Sequence, residues 1–351
     1  MRKIKQWLSL LLSAALLAGL LAIPASAAAG SKPYITQVEA GSHFSLVVTS
    51  DGSLYGWGYA STAKLFPGGT FDPAYLQTFV REGRRISYAP SMGETPFTQE
   101  ETARFRAALE PYTALSVREQ AGQEKVRAAT GREPVVVLDP TLLLTAEQWA
   151  GLAVPPQRQG PYILCYYISD HGVLDPYAQA VHQRTGWPIV QLAGVRRKIP
   201  GAEQIILDAG TREFLGLFQH AAFVCTNSFH GTVFSVQFQK PFFTAVAPAE
   251  LASPESSRTF SLLSTLGLTE RIIGKGDTAE LLSPVDYEAV NEHLERERQR
   301  SLNWLKAALN GTELEEEEPA ESEAVKTALA EGEIKRQKKK AKSLEVKEHI
   351  K

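Results

Sequence analysis

Two short runs in this chain are apolar on both faces, and they narrow what it can fold into. Tyr162-Ile-Leu-Cys-Tyr-Tyr-Ile168 shows no alternation of polar and apolar residues, and Ala222-Phe-Val-Cys-Thr226 follows the same pattern. A strand without a polar face has to be covered on both sides, which is the condition of strands in parallel α/β sheets. The neighbouring segments supply that cover. After the first run come helical spacing through Ala178 and Val181, a strand over 188–193 and a helix over 213–221. After the second run a helix opens near Gly231, and one more strand covers 240–246. Upstream, strands over 84–92, 113–117 and 134–138 alternate with helices over 99–110 and 118–130. Such alternation predicts two parallel-sheet units facing a cleft. Pro155, Pro156 and Gly160 mark the linker between them.

Length agrees, since 351 residues suit about two domains of ~150 residues each. Hydrophobic residues make up 44% and charged ones 22%, as in an ordinary folded protein. A formal net charge of -2 gives no global basic field for nucleic acid. Cys165 and Cys225 are too few for a disulfide scaffold and, inside apolar strands, read as inert buried thiols. His171, His182 and His220 lack helical pairing with carboxylates or cysteines, so no metal site is expected. Neither a GxGxxG fingerprint nor a phosphate-loop lysine is present, and no cofactor is expected.

The ends differ in character from the middle. Arg2, Lys3 and Lys5 precede an apolar stretch that closes on Pro24-Ala25-Ser26-Ala27, so residues 1–27 read as a secretory signal peptide. A retained membrane anchor is the alternative, and it would be the chain's one contact with a membrane. This signal points to export or membrane association. Residues 34–65 carry alternating apolar positions around Asp51-Gly52, a hairpin signal. Ala40-Gly41, His43, Ser50-Asp51-Gly52 and Tyr55-Gly56-Trp57-Gly58 make this stretch resemble one repeat of the regulator-of-chromosome-condensation type of β-propeller. A lone blade cannot bury its own face, so a loosely docked hairpin is expected. The first α/β unit is assigned to 70–155 and the second to 160–310, which closes with an amphipathic helix. In that helix Ser283 is the expected cap, Pro284 and Asp286 suit the first turn, and Tyr287, Val290, Leu294, Ser301, Leu305 and Leu309 form the apolar stripe. Residues 311–351, acidic and then basic, read as a solvated tail.

Chemistry concentrates where the second apolar run ends, in Thr226-Asn-Ser-Phe-His-Gly-Thr232. Ligands of open α/β sheets sit beyond the carboxyl ends of the strands, and a new helix N-terminus attracts an anion there. Asn227 and Ser228 can cap the helix or donate to a ligand, and His230 sits in its first turn. The same pattern also describes a plain N-cap with a packed histidine. Gly210-Thr-Arg-Glu213 places Arg212 at a helix start, and Ser116-Val-Arg-Glu119 places Arg118 at a strand end. Each arginine can clamp an anion or form a surface salt bridge. Arg118 is placed to face His230 across the cleft, whereas Asp139-Pro140-Thr141 reads as a cap or turn.

These motifs in this order resemble the polysaccharide pyruvyl transferase family. Arg85-Ile-Ser-Tyr-Ala-Pro-Ser-Met-Gly93, Val137-Leu-Asp-Pro-Thr141, Gly210-Thr-Arg-Glu-Phe-Leu215, Gln239-Lys-Pro-Phe242 and Ser257-Arg258 carry the resemblance, with Thr226–Thr232 the strongest. It spans about 71–309 and implies a fold like the two-domain GT-B glycosyltransferases, with the first unit truncated and its sheet edges left unpaired. The implied reaction moves a pyruvyl group from phosphoenolpyruvate to a glycan or lipid-linked sugar, forming a ketal. By resemblance, His230 and Arg118 are the catalytic pair, His230 in acid–base work or phosphate stabilisation and Arg118 as an anion clamp. Arg212, Thr226, Asn227, Ser228 and Arg258 then bind substrate. Relatives are cytoplasmic, which conflicts with the export signal. Two other classes fit the same features: a secreted glycan-binding protein with a degenerate transferase domain, and a nucleotide-sugar glycosyltransferase on the same fold.

Overall fold

The structure is a computed structural model. It describes the backbone of strands 35–40, 44–49 and 54–58, and residues 76–77, 84–92, 97–169, 172–192, 197–252, 254, 257–273 and 284–312. The segment read as a signal peptide and most of the charged tail lie outside the described residues.

The first sheet has six strands in spatial order β1 to β6: β1 (Ile35–Ala40), β2 (Phe44–Thr49), β3 (Leu54–Gly58), β4 (Arg85–Ser87), β5 (Tyr112–Val117) and β6 (Val135–Val136). β1 to β3 form an antiparallel meander, and the later pairs are parallel. The meander is not a hairpin set apart. Leu54, Tyr55 and Gly56 of β3 pair with Arg85, Ile86 and Ser87 of β4. A bare strand edge leaves a row of unpaired N–H and C=O groups, and β3 satisfies the row that β4 would otherwise expose.

Two helices, α1 (Gln99–Leu109) and α2 (Gln120–Thr130), pack Phe105, Leu109, Val126 and Ala129 against Leu115 and Val117 of β5. Thr98 and Glu101 form a reciprocal capping box at the start of α1. Gly131 ends α2 at φ 72°, a left-handed position that a side chain would strain. Beyond β6 the chain makes one 3₁₀ turn, Pro140–Leu142, and a short helix, α3 (Ala146–Ala150), before the linker.

The second sheet is parallel throughout. It comprises β7 (Ile163–Tyr166), β8 (Ile189–Leu192), β9 (Ala202–Ile206), β10 (Phe223–Thr226) and β11 (Phe242–Thr244), in the order β11-β10-β7-β8-β9. Its helices are α4 (Asp175–Thr185), α5 (Thr211–His220), α6 (Phe229–Gln237), α7 (Pro248–Ala252) and α8 (Arg258–Thr265). The central strand β7 explains its own sequence. Leu164 enters the core shared with Phe218 and Val233, while Ile163 and Cys165 enter the opposite core with Ala178 and Val181. Cys165 and Cys225 stand in register on β7 and β10, both buried and free. The α/β class with two units is therefore as expected, although the first sheet is mixed, since its β1 to β3 pairs are antiparallel. Sequence reading did not find β9, whose Glu203, Gln204 and Ile205 are exposed at the sheet edge.

The last described helix, α9 (Tyr287–Asn310), departs from expectation in its cap, its stripe and its place. Asp286 is the cap, accepting from the backbone N–H groups of Glu288 at 3.2 Å and Ala289 at 3.4 Å; Ser283 lies outside the described residues. The buried stripe is Val290, Leu294, Arg298, Ser301, Trp304 and Ala308, whereas Leu309 is exposed. Its two ends serve different units, which explains the shifted stripe. Val290 and Leu294 pack in the second unit's core with Leu262 and Leu266. Trp304 and Ala308 pack on Ile86, Tyr88 and Val137 of the first. Residues 160–310 thus end on a helix that covers both units. Among the described residues no helix is long and apolar enough to cross a membrane.

Candidate active site

The carboxyl ends of strands from both units meet at one cluster. Arg118 and Glu119 follow β5, Asp139 follows β6, and Phe229 and His230 open α6 just beyond β10. The Asp139 carboxylate is the hub. One oxygen, Oδ1, accepts from the Thr141 N–H at 3.0 Å and the Thr141 hydroxyl at 2.6 Å. The other, Oδ2, accepts from Arg118 Nη1 and lies 3.8 Å from His230 Nε2. Asp139 and Arg118 are buried, with side chains 3% and 8% exposed, but His230 is half open at 50%. Burial alone would push the Asp139 carboxyl up; the contact with His230 and the Arg118 charge outweigh it and hold the group well below the usual carboxylate range.

Arg118 is held from several sides. Its guanidinium lies over the Phe229 ring at 4.7 Å, and Arg258, at the start of α8, lies over the same ring at 5.2 Å. Glu119 is buried beside it. Glu119 Oε1 accepts from the Met92 N–H at 2.7 Å, and Oε2 faces Arg118 Nε at 3.8 Å. Neither Oε2 nor Nε has a hydrogen-bond partner among the described residues. Burial pushes the Glu119 carboxyl up, opposed by the Arg118 charge and the Met92 bond.

Thr226, Asn227 and Ser228 are at the site, but their polar atoms serve the protein. The buried Thr226 hydroxyl donates to the Tyr166 carbonyl at 2.6 Å and accepts from the Ser228 N–H at 3.1 Å. Asn227 Oδ1 accepts from the Ile168 N–H at 2.7 Å, and its amide donates to the Ser169 carbonyl at 2.7 Å and hydroxyl at 2.9 Å. The Ser228 hydroxyl caps α6, accepting from the Gly231 N–H at 3.2 Å. Together they clamp the exit of β7 to the turn that presents His230. Beside this turn Asn227, Phe229, Arg258, Thr259 and Tyr167 line a cavity of about 480 Å³.

Arg212 is not brought to this cluster. It is exposed at the start of α5, which follows the edge strand β9, and its Nε donates to the Leu152 carbonyl at 2.9 Å. Asp139 caps as expected, through Oδ1 to Thr141, while Oδ2 accepts from Arg118 and faces His230. Its position just past a strand end is the same signal that singled out Thr226–Thr232, although β6 itself is half-buried. Phe229 was missed, since an apolar residue between Ser228 and His230 reads as core. Among the described residues no group of three or more His, Cys, Asp or Glu side chains can hold a metal ion.

Two α/β units, the first with a mixed sheet and the second with a parallel one, gather charged side chains from both at their strand ends. This junction is the candidate site of a two-unit α/β protein. The family model for polysaccharide pyruvyl transferase matches residues 22–248, and the chain belongs to that family. The match takes in the meander β1 to β3 and ends before Arg258 and α9. Among solved structures the chain is similar to a Listeria monocytogenes protein assigned as a UDP-N-acetylglucosamine 2-epimerase, with TM-score 0.43 and 11% identity over 73% of this chain and 75% of that one. It is similar also to the UDP-GlcNAc 2-epimerase of Methanocaldococcus jannaschii, with TM-score 0.40 and 13% identity over 68% of each chain. A UDP-forming trehalose-phosphate synthase of Burkholderia xenovorans gives TM-score 0.35 and 12% identity over 74% of this chain and 70% of that one. No curated protein matches the sequence.

Proposed function

We propose that this chain transfers a pyruvyl group from phosphoenolpyruvate to a pair of hydroxyls on a glycan acceptor, forming a ketal. The observation that carries this reading is the junction cluster, in which His230 stands half open beside Arg118 and Asp139. The donor bears a phosphate and a carboxylate, so its site needs positive charge. Arg118 and Arg258 flank Phe229, and the N-terminus of α6 adds its dipole. Burial disfavours the charged form of Glu119, so this carboxyl offsets less of that positive charge.

His230 then gives a proton to the methylene carbon of the donor, and positive charge develops at the neighbouring carbon. One acceptor hydroxyl adds there and returns its proton to His230. The bond from that carbon to the phosphate oxygen breaks, the second hydroxyl closes the ketal, and its proton leaves with the phosphate. Two hydroxyl protons are thus lost, one now on the methyl group and one on phosphate. Positioned proton transfer of this kind is worth ~10²–10⁴-fold in rate.

Titration of phosphoenolpyruvate into the folded full chain tests the reading. Binding heat or a rise in melting temperature at millimolar donor is expected. His230→Ala should abolish phosphate release from the donor without changing the melt, since a half-exposed side chain carries little packing. Absence of any donor binding to the folded protein would overturn it.

A further inference from the structure

We propose that Asp139 is a positioning residue for His230: a carboxylate of the first unit holds the Nε2 edge of an imidazole carried by the second, so that Nδ1 is the nitrogen turned to substrate. This rests on the reading of His230 as the proton-transfer group. The geometry gives the two partners unequal freedom. Asp139 is fixed by the Thr141 N–H and hydroxyl on Oδ1 and by Arg118 on Oδ2, in a side chain only 3% exposed. His230 is half exposed, so the ring adapts to the carboxylate and not the reverse. Nε2 is the ring nitrogen at ion-pairing distance, 3.8 Å from Oδ2.

An ionised carboxylate can only accept, so it favours the ring form with hydrogen on the nitrogen that faces it. The far nitrogen is then the one that exchanges a proton with a ligand, and its state is set by the contact the other makes. Phe229 limits rotation on another side, meeting the imidazole edge-on with centroids 5.3 Å apart. The charged groups around the pair are Arg118, which bonds Asp139 and stacks on Phe229, Arg258 on the same ring, and Glu119 behind Arg118. The first unit therefore governs a group carried by the second, and neither unit alone holds the complete pair.

Nitrogen NMR of the histidine-labelled full chain, with His230 assigned by its loss in His230→Gln, reads the pairing without any substrate. A single Nε2–H form is expected in the unaltered protein and a mixture of both tautomers in Asp139→Asn. A mixture already present in the unaltered protein, or a ratio that Asp139→Asn leaves unchanged, would overturn the proposal. The unaltered protein gives its answer even where Asp139→Asn, which leaves Arg118 with a weaker partner, folds poorly. Kinetics supply the second readout: phosphate release from phosphoenolpyruvate, with sugars bearing paired hydroxyls, should lose ~10²-fold in kcat at nearly constant KM. An equal loss in KM would assign Asp139 to donor binding instead and overturn positioning. Should the tautomer change as expected while no form of the protein consumes phosphoenolpyruvate, the pairing stands and the transferase reading falls.

Discussion

Gly231 shows how one missing methyl group holds the site together. A Cβ there would stand 2.2 Å from the Thr226 hydroxyl, the group that bonds both the Tyr166 carbonyl and the Ser228 N–H. Replacing Gly231 by Ala should therefore cost ~1–3 kcal/mol, the usual range for overpacking a tight interior. Thermal melts check this, and Thr226→Ala in the same chain should recover part of the loss by removing the nearest clashing atom. Residue by residue, the sequence placed Arg118, Asp139 and His230 at strand ends that the fold brings together, but with no sign of which partners each would bond. Small polar side chains at a strand end suggest ligand contacts, and in the fold Thr226, Asn227 and Ser228 bond to the protein's own backbone and to Ser169. A hydroxyl that caps and a hydroxyl that grips a ligand are the same in sequence, because which donor reaches it is decided by chain brought in from elsewhere. Asp139 caps as expected, and its second oxygen faces Arg118 and His230, which only the fold reveals.

Elements were legible where local signals agree. The capping box and the left-handed glycine bound α1 and α2 close to the positions that spacing predicts, and the doubly buried strands β7 and β10 stand where apolar runs place them. β9 escaped because an edge strand is covered on too few sides to carry a period. α9 misled because a single stripe was expected to meet a single core. It meets two, and Trp304 is the anchor of the second, buried to 4% and packed near Tyr88 at a ring distance of 6.0 Å. Trp304→Ala should cost ~3–5 kcal/mol, the range for deleting a large buried aromatic. Denaturant unfolding measures it. A loss below 1 kcal/mol, well outside that range, would mean that α9 does not hold the first sheet.

At the scale of the whole molecule the two units are less separable than the linker prolines suggest. Leu138 and Leu142 of the first unit belong to the core of the second, and Gln237 of α6 reaches back to the Leu144 carbonyl at 2.6 Å. Residues 160–310 expressed alone should consequently melt below the full chain and bind a hydrophobic dye, since Trp304 and Ala308 would lose their partners. A melt as high and as sharp as that of the full chain would show that the second unit needs nothing from the first.

The bonds from α9 to the first sheet also set an order of events during synthesis. Arg84 beside β4 donates to the Leu309 carbonyl across 225 residues of sequence, and Ser301 accepts from the Leu138 N–H across 163. At the ~5–20 residues per second of a ribosome, β4 emerges about 10–45 s before the helix that covers it. Through that interval Ile86, Tyr88 and Val137 wait uncovered on a nascent chain. The protein's dependence on chaperones should thus be written in α9, and shortening that helix should shift the yield of soluble protein before it alters any chemistry.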